Sequence, residues 1–222
     1  MGGREMSVLP LIGNMDRLIR NDDDLYLGNL RDYYKIMFDA KNKFAPYHNL
    51  RHMLHVTMLC GSACLFYKGV NGLSPRQARN LLIAAMFHDF DHTGRSGDDD
   101  LNIELALRAL RKHILPEDKE GQVSIEDAIS GTQFPYNVFA EDMTLIAQIL
   151  RDADVSQAFS TSWIQQMAGL AEEMGISFVK FLPMQIAFLE NLKHDTEWGE
   201  FLFKATIPKK IEETRAHLEL LT

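Results

Sequence analysis

Cysteine is scarce in this chain, and long apolar runs are absent from it. Its 222 residues include only Cys60 and Cys64, four apart in a helical pattern and without a second pair for a zinc site. Reduced thiols within the packing are therefore expected. No apolar run approaches the ~20 residues that a membrane span needs, and no signal-like apolar core follows Met1. These absences predict a cytoplasmic protein that does not engage a membrane.

Basic residues are also fewer than acidic ones. The formal net charge is −8, from 23 Lys and Arg against 31 Asp and Glu, and no basic cluster stands out. Proteins that bind a nucleic-acid backbone usually carry a basic stripe, so a nucleic-acid polymer is not the expected partner. A small anionic substrate remains compatible with this charge, provided that bound metal supplies positive charge locally.

Alternating strand patterns, internal repeats and low-complexity segments are missing as well. Helical periodicity fills the sequence, and 46% of the residues are hydrophobic, which allows a sizeable core. Because no Pro-, Gly- or Ser-rich linker interrupts the pattern, we predict a single compact all-α domain over residues 1–222. The predicted helices cover residues 8–20, 22–40, 49–68, 75–89, 98–114, 124–129, 138–151, 161–174, 177–193, 197–205 and 208–221.

Residues 88–92 (HDFDH) follow an apolar run, residues 81–87, that is typical of a buried helix. An imidazole and a carboxylate at the inner end of such a helix are costly to bury unless something binds them. A divalent cation would do so, because neutral imidazole and ionised carboxylate are ordinary ligands for it. We therefore expect the chemistry of this protein at His88 and Asp89.

A second cluster of histidines begins the predicted helix at residue 49. His48, His52 and His55 recur at spacings of four and three, so they share one helix face. A hydrogen-bonded or solvated histidine face is the alternative for this cluster alone. The presence of His88 and Asp89 elsewhere favours metal binding, since one cation takes ligands from several helices.

The third candidate is a pair of acids at the end of another apolar helix. Asp152 and Asp154 follow residues 145–150 (LIAQIL), where a carboxylate opposes the helix dipole. Such a local conflict is a reason to suspect a functional role. Only one of the two acids need be a ligand, and the other is expected to pair with Arg151 or to face water.

The ordered set of these residues resembles the HD superfamily of metal-dependent phosphohydrolases, and the local motifs resemble class I cyclic-nucleotide phosphodiesterases. Residues 47–52 (YHNLRH) are similar to the YHNxxH motif of that family, and residues 88–94 (HDFDHTG) to its HDxDHxG segment. Residues 153–156 (ADVS) are similar to the segment that holds the last metal-ligating Asp, which favours Asp154 over Asp152. Residues 132–135 (TQFP) and 185–188 (QIAF) extend the resemblance, which spans about residues 47–188.

The resemblance implies an all-α domain with a metal site at the centre of its helix bundle. It also implies two divalent ions, bridged by Asp89 and by a water that attacks phosphorus as hydroxide. His92 would help to position the second ion, and His48 would be the general acid. Zinc, manganese, iron and magnesium all suit such ligands. The expected ligands of the first ion are His52, His88, Asp89 and Asp154.

Substrate recognition is implied by the same resemblance. Gln185 would hydrogen-bond a purine and Phe188 would stack on it, although a Q-x-x-F pattern on an amphipathic helix also suits a half-exposed, half-buried surface. The implied partner is a small phosphoester of the nucleotide type. Alternatives are an HD-type phosphomonoesterase acting on a nucleoside monophosphate, an oxygenase variant that needs redox iron, and a non-catalytic metal-binding module that senses a nucleotide.

The chain departs from the family pattern in three respects. It is considerably shorter than the eukaryotic catalytic domain, and Leu50 replaces the usual Trp after YHN. Residues 95–100 (RSGDDD) replace an Asn-rich continuation. These acids read as a helix start capped by Asp98.

Overall fold

Eleven α-helices account for most of the residues that the computed structural model describes, which are 14–68, 72–95, 97 and 99–222. No strand occurs among these residues, so the all-α prediction is confirmed. Short 3₁₀ helices cover Pro116–Gly121, Ala140–Asp142 and Val155–Phe159. The α-helices are α1 (Met15–Arg20), α2 (Arg31–Met37), α3 (Leu50–Phe66), α4 (Pro75–Phe87), α5 (Asp99–His113), α6 (Gln122–Ser130), α7 (Leu145–Asp154), α8 (Trp163–Glu173), α9 (Phe178–Asn191), α10 (Glu197–Phe203) and α11 (Ile207–Leu221).

Helix α4 lies at the centre of the main hydrophobic core. Every residue from Ala78 to Phe87 is buried, and the helix packs against α2, α3, α5, α6 and α7. Its start is fixed by a capping box in which the Ser74 hydroxyl accepts from the Gln77 amide and the Gln77 side chain accepts from the Ser74 amide. Since α4 ends at residue 87, the next two residues, His88 and Asp89, reach the middle of the molecule.

Helices α3 and α7 flank α4 and contact each other. The side chain of Asn49 accepts hydrogen bonds from the amides of Arg51 and His52 and so begins α3 immediately after His48. The Thr144 side chain caps α7, whose last residue is Asp154. The ends of three neighbouring helices therefore carry the candidate metal ligands to one place.

Helices α8 and α9 form a smaller apolar cluster with Tyr47 on one side of the main core. A methyl group at Gly169 of α8 would lie 2.2 Å from the Pro46 carbonyl oxygen, so the helix comes into direct contact with the backbone that precedes His48. This close approach requires glycine. It brings the C-terminal end of α8 next to the start of α3.

Two predicted helix boundaries are wrong. The acidic run after residue 21 does not begin a helix, because Asn21 adopts a left-handed conformation (φ 62°) and its side chain bonds to the Leu25 amide and the Tyr26 carbonyl. Helix α2 is therefore only seven residues long. The helix predicted from residue 138 begins at Leu145 instead, after a 3₁₀ turn. Residues 8–13 of the first predicted helix, and the Asp98 cap, lie outside the described residues.

Within the described residues, no helix is both long enough and apolar enough to cross a membrane.

Candidate metal centre

Two histidines and two aspartates from α3, α7 and the two residues after α4 converge at the centre of the helix bundle. His52 Nε2 lies 2.9 Å from Asp154 Oδ1 and 3.2 Å from Asp89 Oδ2. His88 Nε2 lies 3.2 Å from the same Asp89 oxygen and 3.3 Å from His52 Nε2. The four candidate ligand atoms all lie within 4.8 Å of one another. The structure thus brings together the four residues that the sequence indicated as ligands of the first ion. His55 is not part of this cluster.

The chemistry of these four side chains fits a divalent cation. Asp89 Oδ2 is buried and has no hydrogen-bond partner within the described residues, although two imidazole nitrogens lie 3.2 Å away. His88 Nδ1 donates to the Ala85 carbonyl at 2.8 Å, so its Nε2 lone pair is directed at the cluster. A carbonyl behind the ring commonly orients a metal-ligating histidine. Two nitrogens and two carboxylate oxygens suit a first-row divalent metal.

Without a bound metal, the two histidines of this cluster hold their protons tightly. Burial alone would lower the pKa of His52, but its contacts with the carboxylates of Asp154 and Asp89 outweigh burial and raise that pKa to about 9. The pKa of His88 is raised for the same reason, against burial. Burial would raise the pKa values of Asp89 and Asp154, yet the adjacent imidazoles hold both well below their usual range. Protonated histidines therefore neutralise the acids where a cation would otherwise do so.

Metal binding is accordingly expected to release protons and to strengthen as the pH rises. At pH 7 the His52 imidazole, with a pKa of about 9, is protonated and must lose its proton to become a ligand. Apparent affinity should increase by up to about tenfold per pH unit for each displaced proton until the pH reaches about 9. Calorimetric titration of metal-depleted protein in two buffers of different ionisation enthalpy measures this release. Heats that do not depend on the buffer at pH 7 would contradict the expectation.

A second group of candidate ligands shares Asp89 with the first. His48, Asp89 and His92 also offer atoms within 4.8 Å of one another, and the His48 and His92 rings stack with centroids 3.8 Å apart. His92 Nδ1 accepts from the Gly94 amide at 2.9 Å, and burial lowers the pKa of His92 to about 4. Its neutral ring therefore carries the proton on Nε2, which suits a hydrogen-bond donor to water or substrate rather than a metal ligand.

His48 is held by a carboxylate that the sequence analysis missed. Its Nδ1 donates to Glu173 Oε2 at 2.6 Å, while Glu173 Oε1 accepts from the backbone amides of Tyr47 (2.8 Å) and His48 (3.1 Å). Burial would raise the pKa of Glu173, but the hydrogen bond and charge of His48 lower it. The carboxylate fixes the orientation of the ring and leaves Nε2 free for proton transfer.

Asn42 is another residue that sequence reasoning missed. Its buried side chain donates to the carbonyls of His48 (2.6 Å) and Asp89 (2.7 Å) and accepts from the Asp91 amide (3.0 Å). A single amide thus joins the backbones of the two histidine motifs.

Asp152 neither pairs with Arg151 nor faces water, so both expectations for it are wrong. Its carboxylate is buried and accepts hydrogen bonds from the amides of Asp195 (2.8 Å) and Thr196 (3.0 Å) and from the Thr196 hydroxyl (2.6 Å). Burial raises the pKa of Asp152 to about 7. Arg151 donates instead to the Gly131 and Val138 carbonyls. Asp152 therefore anchors the start of α10, and Asp154 alone reaches the candidate metal site.

A cavity of about 410 Å³ opens beside the candidate metal cluster. His48, His92 and Asp154 line it, and so do Gln185 and Phe188 on α9. Gln185 is only 5% exposed, and its side chain makes no hydrogen bond to the described residues. The candidate substrate-binding residues and the candidate catalytic histidines therefore share one cavity, whose size is typical of a small-molecule site.

A family model described as 3'5'-cyclic nucleotide phosphodiesterase matches residues 47–112. The matched segment contains both histidine motifs and α4, but it ends before Asp154, Glu173 and Gln185. No curated protein matches the chain. Residues 47–112 are thus similar to a cyclic-nucleotide phosphodiesterase domain, which supports a phosphodiesterase-like hydrolase acting on a small phosphoester.

Proposed function

We propose that this protein is a metal-dependent phosphohydrolase of the HD type that cleaves a nucleotide-type phosphoester, with a cyclic nucleotide as the leading substrate. One observation carries the proposal. A cluster of two imidazoles and two carboxylates adjoins a cavity of about 410 Å³ through Asp154, next to a histidine that is oriented by a buried glutamate. The family match over residues 47–112 supports the same reaction class. We propose that residues 1–222 act as one cytoplasmic domain.

Two divalent cations are the proposed cofactors. When bound, they supply the positive charge that polarises the phosphoryl group and lowers the pKa of the attacking water. Asp89 belongs to both candidate groups of ligands and is the proposed bridge. His92 would donate from Nε2 to a water at the second position rather than ligate the cation. The proposed ligands of the first cation are His52, His88, Asp89 and Asp154.

His48 is the proposed general acid. The leaving alkoxide of a phosphoester needs a proton, and a positioned acid contributes about 10²- to 10⁴-fold to the rate. His48 lines the cavity, lies four residues before the proposed ligand His52, and donates a hydrogen bond from Nδ1 to Glu173. Protonation of Nε2 would then place an acidic proton toward the substrate.

Gln185 and Phe188 are the proposed contacts to the base. The amide of Gln185 has hydrogen-bonding capacity that no described residue uses, although the side chain is almost fully buried. Because Gln185 lines the cavity, a ligand there can pair with its amide without displacing a protein partner. Phe188 lies one turn further along α9 and lines the same cavity, where an aromatic ring can stack on a purine.

Turnover of cyclic AMP and cyclic GMP is expected to exceed turnover of nucleoside 5'-monophosphates. The panel should be run with metal-reconstituted protein whose metal content is measured in parallel. Gln185→Ala is expected to raise KM about tenfold through the loss of base hydrogen bonds. Gln165→Ala is the matched control, because Gln165 is exposed on α8 and lies outside the cavity lining.

The rival functions give different outcomes in the same panel. Faster hydrolysis of 5'-monophosphates would favour a nucleotidase. Bound metal with no hydrolysis of any phosphoester would favour a sensor module. An obligatory redox iron would favour the oxygenase variant.

A further inference from the structure

Arg95 is the single Lys or Arg among the described residues that line the cavity. The other charged side chains on this lining, apart from the histidines, are the acids Asp99, Asp154 and Glu173. Arg95 is exposed to solvent, so it lies where a substrate enters. The cavity therefore combines an acidic interior with one cation that solvent and substrate can reach.

The guanidinium of Arg95 has no ion-pair or hydrogen-bond partner within the part of the chain that the structure describes. Among the described residues, Arg95 makes one hydrogen bond, from its backbone amide to the Thr93 hydroxyl at 3.3 Å. One acid of the same cavity wall, Glu173, lies beside the preceding Gly94. Glu173 is already bound by His48 and by two backbone amides. Its carboxylate therefore does not neutralise the arginine.

Most arginines of the described chain have an acidic partner. Exposed Arg31 and Arg51 share the unpaired state of Arg95 but do not line the cavity. An unpaired arginine on a cavity wall is thus specific to position 95, within the segment that departs from the Asn-rich family pattern. The arginines with carboxylate partners are Arg17, Arg20, Arg76, Arg79, Arg108, Arg111, Arg151 and Arg215.

We propose that Arg95 binds an oxyanion of the substrate's phosphoester group and is a substrate-positioning residue of this site. This inference rests on the proposed function, since it assigns a role in binding the same class of substrate. Guanidinium is always charged and its planar fork matches two oxygens of a phosphate. A chain of net charge −8 repels anionic ligands at long range, and a cation at the cavity mouth offsets that repulsion locally.

Arg95→Gln is expected to raise KM for a cyclic nucleotide about tenfold and to leave kcat within about twofold. The Kd of the metal-reconstituted protein for a nucleoside 5'-monophosphate, measured by calorimetry, should rise by a similar factor. Arg95→Lys should have KM and Kd values between those of the wild type and Arg95→Gln, because lysine keeps the positive charge but lacks the planar fork of guanidinium. Metal content should not change in any of these variants.

Arg31→Gln is the matched control, since it removes the same charge from an exposed, unpaired arginine outside the cavity. Wild-type KM and wild-type nucleotide Kd in Arg95→Gln would overturn the inference, and so would an equal effect in Arg31→Gln. Either result would leave the proposed function intact if wild-type protein hydrolyses the ester. If wild-type protein binds the nucleotide without hydrolysing any ester, the proposed function fails, and the nucleotide Kd still decides the role of Arg95.

Discussion

Asp89→Ala is expected to abolish phosphohydrolase activity and to remove the bound metal. Asp89 is the one residue that belongs to both groups of candidate ligands, and its Oδ2 lies 3.2 Å from the Nε2 atoms of His52 and His88. Loss of this carboxylate leaves two buried imidazoles with a single nearby acid, Asp154. Metal analysis of dialysed protein should show at least about a tenfold loss of occupancy, and turnover should fall by more than about 10³-fold.

A second variant, Asp89→Asn, keeps the shape of the side chain and removes its charge. Its matched control is Asp91→Asn. Asp91 lies two residues away, but its carboxylate accepts from the Lys41 amide at 2.8 Å and pairs with Lys41 Nζ at 3.2 Å. Asparagine tolerates the positive φ of 64° at this position. Asp91→Asn should therefore retain metal and activity. Full metal content and activity in Asp89→Asn would refute the bridging role.

His48→Ala is expected to keep the metal and to slow turnover by about 10²- to 10⁴-fold. The imidazole lines the cavity and is oriented by Glu173, and His48 is not among the four residues of the first candidate group. The loss should therefore appear in kcat, because the leaving group departs without a positioned acid. Single-turnover kinetics together with metal analysis measure both properties.

Glu173→Gln should give a smaller loss of turnover, about tenfold, because the amide can still accept a hydrogen bond from His48 but carries no charge. Glu172→Gln is the control, since Glu172 is exposed on the same helix. A wild-type rate in His48→Ala would refute the acid role. Loss of metal from that variant would show instead that His48 is a ligand in the group it shares with Asp89 and His92.

The candidate metal cluster could be predicted because its residues break local rules. His88 and Asp89 follow a buried apolar helix, and Asp154 opposes a helix dipole, so the sequence itself marks them. Glu173 shows a comparable signal, since Glu172 and Glu173 end α8. Its partner His48 lies 125 residues away, and no spacing rule connects them.

Two of the wrong predictions, for Asp152 and for the start of α2, arise from hydrogen bonds that the local sequence pattern does not show. The sequence predicts that Asp152 pairs with Arg151 or faces water, but the partners of its carboxylate are amides 43 and 44 residues further along the chain. The acidic run at residues 22–24 suits a helix start, yet the side chain of Asn21 supplies competing hydrogen bonds to the backbone at residues 25 and 26. The helix propensity of a short segment does not predict such contacts, because they depend on the positions of side chains and backbone groups outside that segment.

The contact of Gly169 with the Pro46 carbonyl has a consequence for the proposed acid. Gly169 lies one helical turn before Glu173, and Pro46 lies two residues before His48. The backbone contact between Gly169 and Pro46 therefore sets the distance between the His48 imidazole and the Glu173 carboxylate. Any side chain at position 169 would push α8 outward and lengthen the 2.6 Å hydrogen bond. The proposed proton transfer would in this way depend on Gly169, a residue that does not line the cavity.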